Sequence, residues 1–228
     1  MSSFLLAIQF LTIIPFKIKH INEKDMSKSM IYFPLIGLLL GLILAATFNF
    51  FSFLQFKDLF INIILVILLI VLTGGIHLDG LADTTDAILS RKNKEEMLKI
   101  MRDSHIGVMG VLSLISIILL KISFLSSIST PLKTISLILM CVLSRWALVF
   151  AMFKFAYARQ KGKAKVFMQG MNFKIFILAT IIALICVVTI WKIKGLIISG
   201  IVAISVYIIG KFINNKIGGI TGDTLGAI

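Results

Sequence analysis

The sequence predicts an all-α, polytopic integral membrane bundle of about 6–7 helices, with a short or re-entrant helix at the N-terminus. Three observations carry this prediction. Hydrophobic residues make up 59% of the 228 residues, charged residues 14%, and mean hydropathy is +1.06, whereas soluble domains carry about 25% charged residues. Apolar runs approaching the ~20 residues that cross a hydrocarbon core recur along most of the chain. Basic residues gather in alternate connections. Continuous apolar runs, rather than alternation at period two, select helices over a closed barrel.

The run 4–16 is short and ends at Pro15, which suits a re-entrant or interfacial helix. The run 31–53 is long enough to span. The third, 59–74, is short unless it continues through Thr73, Gly74 and Gly75 into the polar stretch beyond. Residues 74–106 form the single sizeable polar excursion; spans follow at 107–128, 132–153, 173–191 and 195–213. With no internal repeat or low-complexity linker, residues 1–228 read as one membrane domain. Cys141 and Cys186 sit inside apolar runs as small core residues, with no disulfide framework. The N-terminus lacks a basic n-region and a small-residue cleavage site, so it is expected to stay on the protein.

A formal net charge of +13 would suggest nucleic acid in a soluble protein. No basic stripe here is interleaved with aromatics on a soluble domain, so the bilayer is the expected partner, and nucleic acid is not. If 17–30 is cytoplasmic, alternating spans put 75–106, 154–172 and the tail after 211 on the same side. That side holds sixteen Lys and Arg against five on the other, the bias of cytoplasmic loops. The expected location is therefore the cell membrane, with the polar excursion facing the cytoplasm. Oligomeric state stays open.

Ten carboxylates exist in the chain. Asp79, Asp83, Asp86 and Asp103 fall close together, the first three at i, i+4 and i+7, within an arc of about 60° on one helix face. Like charges so placed repel, and hard oxygen ligands grouped this way suit Mg²⁺, which takes one or two carboxylates and bridges to phosphates. Gly74, Gly75 and Gly80 let backbone approach a ligand closely. Arg91 and Arg102 can meet phosphate oxygens. His77 is a candidate ligand or proton-transfer group, His105 a weaker candidate, and His20 a solvated loop residue. Arg145 stands inside an apolar span, where a charge is costly without a partner. Asp223 lies in a glycine-rich run near the C-terminus.

Three stretches together are specific: Thr73 to Asp86 (TGGIHLDGLADTTD), Met101 to Gly110 (MRDSHIGVMG) and Gly222 to Ala227 (GDTLGA). They resemble the cobalamin synthase family (adenosylcobinamide-GDP ribazoletransferase), as do the segments Phe10–Phe16, Tyr32–Gly37 and Leu143–Trp146. The resemblance implies a Mg²⁺-dependent membrane enzyme of the last stage of vitamin B12 assembly. It would join adenosylcobinamide-GDP to α-ribazole or its 5′-phosphate and release GMP. By carry-over Asp79, Asp83 and Asp86 bind metal, with Asp103 and Asp223 as further members. Asp83, Asp86 and His77 are the catalytic candidates; Gly75, Arg91, Arg102, His105, Arg145 and Asp223 are those for substrate. Family members carry Arg where His105 stands and continue past GDTLGA with another apolar helix. Two rivals differ in pattern. A CDP-alcohol phosphotransferase would place Arg where Asp83 stands, and a cation transporter would bury acidic residues near the midplane of both halves.

Overall fold

The computed structural model describes residues 2–16 and 22–228. Lys17, Lys19 and His20 lie outside the described residues, as do the side chains of Glu23 and Lys163. The elements are helices: α1 Ser2–Leu11, α2 Glu23–Ser29, α3 Phe33–Phe53, α4 Asp58–Thr73, α5 Ile76–Leu89, α6 Lys94–Ile100, α7 Val108–Ser127, α8 Thr130–Lys154, α9 Lys163–Gln169, α10 Phe173–Ile217 and α11 Gly222–Ala227. A 3₁₀ turn, Met30–Tyr32, joins α2 to α3. Among the described residues no strand forms; one isolated bridge pairs Tyr157 with Ile220.

Four helical stretches are long and apolar enough to cross a membrane, 24–53, α7, α8 and α10, and the α4–α5 pair, bent by 90°, makes a fifth. α10 counts twice. Its 45 residues would extend about 68 Å as one rod, twice a hydrocarbon core. Its backbone leaves the helical region at Trp191 and at Lys192 (φ 48°, ψ −135°). A Cβ on Gly195 would sit 2.5 Å from Val187 Cγ1, although residues eight apart in a straight helix lie about 12 Å apart. The chain therefore doubles back, and the limbs match the spans expected at 173–191 and 195–213. Six apolar limbs result, α3, α4, α7, α8 and the two of α10. The run 4–16 forms the short helix α1, as its length led one to expect, packed on the bundle by Leu6, Ala7, Ile8 and Leu11. Alternating crossings place α2, α5, α6, α9 and α11 at one end of the bundle.

α8 is the central helix. It meets α3 where Gly37 and Gly41 let the backbones touch: a Cβ on Gly37 would press on the Cys141 carbonyl oxygen, and one on Gly41 would lie 2.6 Å from Ile138 Cα. Both contacts are to backbone, so no rotamer change relieves them. Gly37→Ala should cost about 1–3 kcal/mol, read as a lower midpoint of thermal unfolding in detergent. Polar pairs stitch other helices together: Asn62 Nδ2 donates to Ser126 Oγ at 3.0 Å, and Trp146 Nε1 to Thr180 Oγ1 at 3.0 Å. At the end opposite α5, buried Lys133 pairs with Asp58 at 3.1 Å.

Candidate active site

The site begins at the 90° bend between α4 and α5. Gly74 caps α4 at φ 60° and Gly75 opens α5 at φ 69°, left-handed values that favour glycine. Two such residues in succession end α4 and turn α5 away from it by 90°. A Cβ on Gly75 would meet nothing within 4 Å, so the space beside it is open.

α11 crosses α5 in close contact. A Cβ on Gly80 would press on the Asp223 carbonyl oxygen and lie 3.0 Å from Asp223 Cα, and one on Gly226 would lie 3.0 Å from the His77 carbonyl oxygen. α11 is held by a reciprocal cap: Thr224 N–H donates to Thr221 Oγ1 at 3.2 Å, and Thr221 N–H to Thr224 Oγ1 at 2.8 Å. This crossing joins two stretches that lie far apart in sequence, 76–89 and 222–227, and that carry acidic motifs.

The charges that bear on Asp83 are those of Asp79, Asp223, Arg159 and Asp86. Its pKa is pushed up to about 6, first by burial and then by Asp79 and Asp223, with Asp86 adding and Arg159 opposing. Arg159, whose side chain is 9% exposed, reaches Asp223 Oδ2 at 2.7 Å. The chain before it is pinned to α11's leader, since Ala158 N–H donates to the Ile220 carbonyl and Ile220 N–H to the Ala156 carbonyl, both at 2.8 Å. Tyr157 stands beside it. Burial pushes the Tyr157 hydroxyl up, and Arg159 and Arg102 draw it down, which puts exposed Arg102 at the rim of this cluster. Sequence reasoning saw Arg159 only as one of many loop cations; nothing local to it pointed to Asp223.

Asp86 has a different environment from its neighbours. Gly107 N–H donates to its Oδ2 at 2.7 Å and Gly110 N–H to its Oδ1 at 2.8 Å. It thus caps the N-terminus of α7 with both oxygens. Asp86→Ala should destabilise the fold by about 1–3 kcal/mol through the exposed first turn of α7. Thermal unfolding checks this, and Asp86→Asn should recover only part of the loss.

Other sequence candidates stand apart. Asp103 accepts from the His105 backbone N–H at 3.0 Å, its Oδ1 lies 2.6 Å from His105 Nδ1, and both side chains are exposed. His105 holds the Asp103 carboxyl below the usual range; neither joins the charges around Asp83. Arg91, at φ 56°, is exposed in the turn after α5.

His77 projects from the side of α5 away from the carboxylates, about 160–180° around the helix from Asp79 and Asp86. It lines a cavity with Lys121 and Arg145. Its pKa is lowered to about 4, first by burial, then by Arg145 and Lys121. α5 therefore separates an acidic centre from a basic one that share no member. Lys121, missed by sequence reasoning, carried the same signal as Arg145: a lone charge inside an apolar run.

Among the described residues no three His, Cys, Asp or Glu side chains converge as a complete metal site. Mg²⁺ needs only one or two carboxylates, the rest of its shell being water and phosphate. Asp79 and Asp83 fit that demand. They are spaced i, i+4 on the open side of α5, where among the described residues Arg159 is the cation whose charge opposes the like charges that raise Asp83.

The family model for cobalamin-5-phosphate synthase matches residues 3–228. An adenosylcobinamide-GDP ribazoletransferase of Desulforamulus reducens is 37% identical over 227 residues, covering 100% of this chain and 91% of the relative. The enzymes of that name from Acetivibrio thermocellus and Clostridioides difficile are 38% and 35% identical, covering 98% and 99% of this chain and 91% of each relative. No solved structure matches the chain. A match of this extent at the level of sequence, with the motif segments gathered at one end of one helical bundle, places the chain in the cobalamin-5-phosphate synthase family.

Proposed function

We propose that this chain is an adenosylcobinamide-GDP ribazoletransferase working at the cytoplasmic face of the cell membrane. One observation carries the reading: the α5–α11 crossing brings Asp79 and Asp83, of one motif segment, close to Asp223 of another from a distant part of the chain, with Arg159 ion-paired to Asp223. The sixteen-to-five bias of basic residues supports the cytoplasmic orientation.

In the reaction an acceptor hydroxyl of α-ribazole, or of its 5′-phosphate, bonds to the cobinamide-bearing phosphorus of the GDP-activated donor. The bond from that phosphorus to the bridging oxygen breaks, and GMP leaves. Positioning and charge neutralisation supply most of the catalysis of such a loose transition state. Asp79 and Asp83 would hold Mg²⁺, which when bound neutralises charge on the pyrophosphate and the departing GMP. Arg159, fixed at Asp223, presents a guanidinium to the same phosphates. The hydroxyl proton leaves toward the water-facing side, where Asp79 is exposed. His77, across α5, takes no part in this step, and Asp86, engaged by α7, is a positioning residue rather than a base.

Purified protein in nanodiscs, given adenosylcobinamide-GDP and α-ribazole or its 5′-phosphate, should form cobalamin product and GMP in equal amounts, only with Mg²⁺ present. Formation of phospholipid and CMP from CDP-activated lipid precursors, without GMP release from the cobinamide donor, would refute the assignment.

A further inference from the structure

The basic centre beneath α5 has no use in the reaction as so far described. Its cavity of about 280 Å³ is lined by His77, Lys121 and Arg145 among mostly apolar side chains. Arg145 is 4% exposed; one guanidinium nitrogen donates to Ser144 Oγ at 2.9 Å, and Nε has no hydrogen-bond partner. Among the described residues no aspartate or glutamate pairs with Arg145 or Lys121. From their places along α8 and α7, Arg145 lies about 14 Å inside the nearer end of its helix, and Lys121 about 20 Å from the end that faces α5 and about 9 Å from the other. A charge at that depth is retained where it serves a ligand or a pathway. Lys121 also lines an adjoining apolar cleft of about 270 Å³ between α3, α4, α7 and α8.

Two cations without a carboxylate partner, an imidazole and apolar walls suit an anion carried on an apolar body. We propose that this cavity binds the phosphate group of such a ligand, with Arg145 and Lys121 supplying charge and His77 a hydrogen bond. Resting on the ribazoletransferase reading, the ligand is the phosphorylated acceptor, whose 5′-phosphate enters from the α5 side. An anionic phospholipid headgroup offers the same chemistry from the bilayer.

The test uses the full chain in phosphatidylcholine nanodiscs, as wild type, Arg145→Gln, Lys121→Gln and the charge-preserving Arg145→Lys. Arg145→Gln and Lys121→Gln should each raise KM for α-ribazole 5′-phosphate about tenfold or more, with less than about twofold change for unphosphorylated α-ribazole. Arg145→Lys should recover much of the loss. If the KM values hold but native mass spectrometry shows phosphatidylglycerol retained by wild type and lost from the variants, the phosphate comes from lipid and the site stands. The proposal is overturned if neither acceptor selectivity nor lipid retention changes in variants that unfold at the wild-type temperature. It is equally overturned if both acceptors suffer alike alongside a lowered unfolding temperature. Should wild type transfer to neither acceptor, the ribazoletransferase reading fails alone. Phosphatidylglycerol retention and thermal stabilisation by inorganic phosphate, each lost in Arg145→Gln, then decide the cavity.

Discussion

Asp83→Asn should lower transferase turnover at least about 100-fold while making the metal-free protein slightly more stable. The two effects share one cause. Burial and the charges of Asp79 and Asp223 push the Asp83 pKa from 3.8 to about 6, so its ionised form is disfavoured in the fold. An acid whose pKa is raised on folding costs stability above its folded pKa and costs nothing below its unfolded one. Removing it should therefore raise the thermal midpoint at pH 7–8 and leave it unchanged near pH 4. Much of Asp83 remains in contact with water, so the gain, discounted for solvent screening, is about 1 kcal/mol. Wild type should gain a higher midpoint on adding Mg²⁺ and the variant should not. Protons compete with the ion for Asp83, so the Mg²⁺ concentration for half-maximal activity should climb as pH falls through about 6. A variant with wild-type turnover at saturating Mg²⁺ sinks the assignment of Asp83.

Gly80→Ala should cost almost as much activity without touching a charged group. The added methyl would press on the Asp223 carbonyl oxygen and lie within 3.1 Å of Asp223 C and Cα. These are backbone atoms, so α11 as a whole must move off α5, taking Asp223 and its partner Arg159 with it. A displacement of about 1 Å between groups that act together costs on the order of 100-fold in rate. Because α11 is six residues at the edge of the bundle, the thermal midpoint should fall far less than in Gly37→Ala, whose clash lies at the α3–α8 interface. Turnover retained within twofold would show that the α5–α11 crossing does not position the reacting groups.

The membrane limbs could be read from sequence because length and apolarity are properties of the segments themselves. The break between 191 and 195 was visible because Lys192 and Lys194 interrupt the apolar run, whereas Gly74 and Gly75 read as glycines that admit a ligand and prove to end α4 and open α5. Asp79 and Asp83 were marked by their i, i+4 spacing, which becomes a shared face as soon as the segment is helical. Asp86 has the same spacing but serves as a cap for α7, because the two N–H groups that engage it come from a helix whose approach no local pattern records. Asp103 is taken by its own neighbour His105. Arg159 acquires its role only when the 156–158 segment pairs with Ile220. His77 sits two residues from Asp79, yet two residues turn a helix by about 200°, enough to place it with Lys121 and Arg145.

The central contact is that of a divalent ion, held by the α5 carboxylates, with the pyrophosphate of the donor. Mn²⁺, read by electron paramagnetic resonance on the protein in nanodiscs, reports that contact without turnover. Wild type should bind Mn²⁺ weakly alone and at least about tenfold more tightly with adenosylcobinamide-GDP present, as phosphate oxygens complete the shell, and Asp79→Asn/Asp83→Asn should lose both signals. Equal Mn²⁺ binding by the double variant, or no tightening in wild type on adding the donor, would contradict it.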